Sequence, residues 1–211
     1  MIMDESKFMV WYHQEASAFE RKLHDKLYEF EDYFRDMCFE QGTATYELIK
    51  CQSKYNDLWI DDEAPRPNEL EYFSYTFFKT SVEQLSNCEG YYNHEKQILC
   101  ICPELVDNDA TILHEMIHLH ESVVNELPLY FHDMLYWALY QDLRAKIDGL
   151  DDAINQHAHI LNESTLYTSG GLHDILFLLK SFDLDIRSGF ALGTVFGYGR
   201  IDEFKYLEKN K

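Results

Sequence analysis

The sequence predicts an α+β fold, on three observations. Apolar residues at helical spacing open the chain, an aromatic, β-favouring stretch occupies its middle, and helical spacing returns after Pro103. With 211 residues, 46% of them hydrophobic and 15% aromatic, the chain can form one well-packed domain. We expect a single domain over residues 1–211, with an N-terminal helical part over 1–60, a core over 69–147 and a C-terminal helical extension over 151–211.

From Ser6 to Phe39 the apolar positions are Phe8, Trp11, Tyr12, Phe19, Leu23, Leu27, Phe30, Phe34 and Met37, with acids and bases on the other face. This spacing predicts one long helix or two in line, stopped by Gly42. A weaker helical pattern follows through Ala44, Leu48, Cys51, Tyr55 and Leu58. Asp61 to Asn68, with Pro65 and Pro67, reads as a loop. Tyr72 to Phe78 favours a strand. A short strand at Gly90–Tyr92 is expected to lead through a turn at Asn93–Glu95 into a second strand over Gln97–Cys102.

Beyond Pro103 a helix is expected from about Asn108 to Asn125, with Asp107 and Asn108 as capping candidates and Pro128 as its breaker. Another spans His132–Ile147, with Leu135, Leu139, Leu143 and Ile147 on one face, and a third lies near Asp151–Leu161. Ser169-Gly170-Gly171 separates these from the apolar run Leu172–Leu179. The segment Gly189–Gly199 holds four glycines among large apolar residues, and reads either as a closely packed helix or as a glycine-rich loop.

Composition narrows the functional classes. The formal net charge is −20, from 38 acidic and 18 basic residues, so the surface repels phosphate backbones and anionic membranes, and no nucleic-acid or membrane partner is expected. No apolar run is long enough for a membrane span, and no secretory signal is visible at the start. Five cysteines, odd in number and without a CxxC pair, read as reduced thiols of a cytoplasmic protein.

Within the predicted helix at Asn108–Asn125 stands His114-Glu115-Met116-Ile117-His118. Two imidazoles four residues apart share one helical face and can grip a single metal ion, while Glu115 can take a proton from a water that the ion activates. Leu113, Met116, Ile117 and Val124 can bury the other side of the helix. A catalytic zinc takes three protein ligands and leaves a position open for water, so a third must come from elsewhere. His132, beyond the break at Pro128, is the leading candidate, with Glu126, Asp133, Asp142 and Glu163 as carboxylate rivals.

The run from Gly90-Tyr91-Tyr92 through Ile98–Cys102 and Pro103-Glu104-Leu105 to Leu113–His118 resembles the SprT-like and related small zinc peptidases. Those domains place an edge strand before an HExxH helix and take their third ligand from a histidine just ahead of an aromatic on the next helix. His132, with Tyr136 and Trp137 following, matches that arrangement. The resemblance covers about Phe73 to Leu143. It implies a zincin-like fold in which His114, His118 and His132 bind Zn2+ and Glu115 is the catalytic carboxylate. The basic and zinc-ribbon appendages of the DNA-associated members have no counterpart here, nor does Asp151–Lys211 have one in the family.

The function expected on these grounds is hydrolysis of peptide bonds in a peptide or protein substrate, with Glu115 as general base. The alternative is a non-catalytic zincin-like module that binds a partner protein. A third class, an all-helical interaction protein whose HExxH is accidental, would hold no metal. Among the remaining polar residues, His120 is turned roughly 200° away from His118 and reads as a core histidine. His157 and His159 fail as a metal pair for the same reason. Glu121 can orient an imidazole, and Tyr92 can line the cleft. Arg187, Arg200, His173 and Tyr198 are candidates for stabilising an oxyanion.

Overall fold

The computed structural model describes residues 5–36, 90–93, 98–124, 129–163, 173–197 and 200–209. The readings at Ala44–Leu58, Asp61–Asn68, Tyr72–Phe78, Pro128, Glu126, Ser169–Gly171 and Tyr198 lie outside the described residues. The fold is α+β and mostly helical, and among the described residues the strands form two-stranded antiparallel pairs. The chain divides into two compact units, Met1–Arg35 with Glu71–Glu126, and Asp36–Leu70 with Leu127–Lys211.

In the first unit the long helical pattern is two helices, α1 (Glu5–Gln14) and α2 (Ala18–Asp36). Ser17 is the reason for the break. Its hydroxyl accepts from the Glu20 N–H at 3.2 Å while the Glu20 carboxylate accepts from the Ser17 N–H at 2.8 Å, a reciprocal capping box that starts a new helix. The two helices are packed together rather than continued in line. Phe8 and Trp11 of α1 lie edge-on to the His24 ring of α2, with centroids 5.1 and 5.3 Å away. Leu23, Leu27, Phe30 and Phe34 form the buried stripe of α2 at the expected spacing.

Strands β1 (Gly90–Asn93) and β2 (Ile98–Ile101) pair antiparallel, with Gly90 opposite Ile101 and Asn93 opposite Ile98. Helix α3 (Asp109–Val124) packs on both strands. It begins where the sequence predicts, since the Asn108 side chain accepts the Thr111 N–H at 3.2 Å. Two lysines of α2 hold this start in place: Lys22 meets Asp107 at 2.5 Å, and Lys26 meets Asp109 at 2.9 Å. Ile112, Leu113, Met116, Ile117 and Leu119 are buried, so α3 is fixed along most of its length.

The second unit holds α4 (Leu129–Lys146), β3 (Ile147–Asp148), α5 (Leu150–Glu163), α6 (Ile175–Arg187) and β4 (Glu208–Lys209). The α4 stripe of Leu135, Ala138, Leu139 and Leu143 is buried, and the helix packs on α6. Gly149, at φ 80°, turns the chain between β3 and α5. Helix α6 is buried continuously from Leu176 to Asp185. Beyond it, Gly189–Gly197 resolves the two sequence readings in favour of a loop. Buried Asp185 organises that loop, its carboxylate accepting from the N–H groups of Gly193 at 2.7 Å and Val195 at 2.9 Å. Gly193 has φ 88°, and a Cβ there would lie 2.6 Å from Phe204 Cδ2.

Candidate metal centre

The HExxH residues all fall on α3. Helical periodicity sets His114 and His118 side by side, their ring centroids 5.1 Å apart and their planes nearly perpendicular. His114 is buried and His118 half-buried. Glu121, one turn on, places Oε2 3.7 Å from His118 Nδ1, which makes it an electrostatic neighbour of that imidazole rather than a hydrogen-bond partner.

Glu115 lies against the hairpin. A Cβ added at Gly90 would stand 3.1 Å from the Glu115 Cγ and 2.8 Å from the Ile101 Cδ1, so β1 approaches this side chain closely only because position 90 has none. Burial pushes the Glu115 carboxyl up to about 7, against the nearby His118 and a hydrogen bond from the Tyr92 backbone, which favour the carboxylate. Among the described residues, its buried Oε2 has no hydrogen-bond partner. Such an atom can receive a proton from a water beside the imidazole pair.

The third imidazole is His173. Ring nitrogens of His114, His118 and His173 all lie within 4.8 Å of one another, and this group could hold a metal ion. A tetrahedral site with metal–nitrogen bonds of about 2.0–2.1 Å requires nitrogen–nitrogen spacings of roughly 3.4 Å. Imidazole nitrogens serve as ligands to several divalent metal ions.

His132 is not in this group. It is half-buried near the start of α4, a helix whose apolar stripe is committed to α6. Of the carboxylate rivals, Asp142 on the same helix is engaged with Lys146 at 2.5 Å, while the side chains of Asp133 and Glu163 lie outside the described residues. Arg187 is tied to Asp183 at 2.6 Å, which removes it as a ready oxyanion partner. His120 is fully buried, with its ring 5.4 Å from that of Phe34, as a core histidine should be.

His173 immediately precedes the N-cap of α6, Asp174, whose side chain accepts the Phe177 N–H at 2.8 Å. Its ring stands edge-on to Phe177, centroids 4.5 Å apart, and lies 5.8 Å from Phe196. Sequence reasoning weighed it only as an oxyanion partner. The available signal was an Asp N-cap next to a histidine, just after a double glycine. That signal marks a fixed position but says nothing of what the position faces. Compared with known proteins, the chain matches no family model, no curated protein and no solved structure.

Proposed function

We propose that this protein is a zinc-dependent peptidase of the zincin kind, with His114, His118 and His173 as metal ligands and Glu115 as general base. The observation that carries the reading is the buried Glu115 carboxylate, unpartnered at Oε2 among the described residues, directly beside two imidazoles of a three-histidine group. A purely structural metal site needs no such base. When bound, a divalent zinc ion would supply Lewis acidity, lowering the pKa of a water and polarising a carbonyl.

The protein's own groups account for the rest. Glu115 takes the proton from the attacking water and delivers it to the leaving amine. Gly90 and the Tyr92 N–H hold the carboxylate against β1.

The test uses zinc-loaded protein and an unstructured substrate such as casein. Glu115→Gln is expected to retain zinc and lose turnover by roughly two to four orders of magnitude. Turnover at the wild-type rate in that variant would remove Glu115 from the mechanism.

A further inference from the structure

His157 of α5 is almost fully buried and takes no part in the proposed proton transfer. Its Nε2 lies 2.8 Å from the backbone carbonyl oxygen of His173. A carbonyl oxygen can only accept, so the ring must donate, which fixes the Nε2–H tautomer of His157. The same ring lies edge-on to Phe196, centroids 5.3 Å apart, and Phe196 in turn borders the His173 ring. His173 is thus held on its backbone by His157 and on its ring by Phe177 and Phe196, while the next residue caps α6.

We propose that His157 is a positioning residue for the metal centre, fixing the backbone at His173 so that its imidazole is aimed before an ion arrives. This rests on the reading of His173 as a ligand. The physical ground is preorganisation: a ligand already held in place loses little freedom on binding, and partners outside the ligand set typically contribute roughly 10–100-fold to metal affinity. A core histidine with no such role would be replaceable by an apolar residue without effect on the ion.

The probe is Zn2+ alone, its dissociation constant read on the full chain by competition with a chromophoric chelator. His157→Leu, which cannot donate, and His157→Asn, which is too short to reach, are expected to weaken zinc binding roughly 10–100-fold. His157→Gln, which carries an amide N–H at about the reach of Nε2, is expected to restore most of the loss. Should the Leu variant fail to fold, the Asn and Gln pair carries the comparison. Wild-type affinity in the Asn or Leu variant, with His173→Ala binding weakly, would overturn the positioning role and leave the ligand set standing. Wild-type affinity in His173→Ala would overturn the ligand set, and the role of His157 with it.

Discussion

In α3 two imidazoles face the same way because they are four residues apart on a helix packed along most of its length, whereas before α6 one imidazole is held by a cap, a backbone hydrogen bond and two aromatic rings. The first arrangement follows from helical geometry alone. The second depends on several weak interactions converging on one residue. Their tolerance of change should differ accordingly: α3 can lose a peripheral contact and still present its pair, while His173 should respond to changes in its surroundings.

The largest effect expected is at the pair itself. His114→Ala or His118→Ala removes a direct ligand, so zinc affinity should fall by more than the roughly 10–100-fold that loss of an outer partner costs. Metal retention after dialysis against a chelator measures this. Retention in both variants would show that the pair does not hold the ion.

A buried histidine of another kind sharpens the contrast. His24 lies among Phe8 and Trp11, and neither of its ring nitrogens has a hydrogen-bond partner among the described residues. Burial pushes it down to about 4, against the carboxylates of Glu20 and Asp25, which favour the charged form. Above about pH 6.5 it is neutral folded or unfolded and contributes no pH dependence. As pH falls from there towards 4 the unfolded chain binds the proton first, so stability is lost, by on the order of 3 kcal/mol when both forms are charged. His24→Phe is expected to flatten that part of the stability–pH curve, as read by chemical denaturation. An unchanged slope between pH 6.5 and 4 would contradict the assignment.

The two helix caps give the smallest and most discriminating effect. Asn108→Ala and Asp174→Ala should each cost about 1 kcal/mol of stability. Only the second should also weaken zinc binding, because Asp174 adjoins His173 while Asn108 lies more than a helical turn before His114. Equal effects of the two substitutions on zinc affinity would erase the distinction between the two regions.

The same distinction explains what was legible in the sequence. The start of α3, its buried face and the facing of His114 and His118 follow from a cap and a period, both local properties. The hairpin of β1 and β2 was legible for the same reason, from short β-favouring runs on either side of turn residues. The break at Ser17 was present as Ser-Ala-Phe-Glu, a capping box inside an otherwise continuous apolar pattern, which hid it. His173 was not legible as a member of the three-histidine group, since its place depends on α5, on the loop organised by Asp185, and on packing between residues distant in sequence. His132 satisfied the local argument, a histidine near a helix start ahead of aromatics, but no local argument could tell which element the α4 stripe would pack against.

The proposed metal centre takes His173, rather than His132, as its third histidine. Zinc content of His132→Ala and His173→Ala, measured side by side after reconstitution and removal of loose metal, tests it most directly. About one zinc per chain is expected in wild type and in His132→Ala, and substoichiometric zinc in His173→Ala. Full zinc in His173→Ala together with loss in His132→Ala would contradict it.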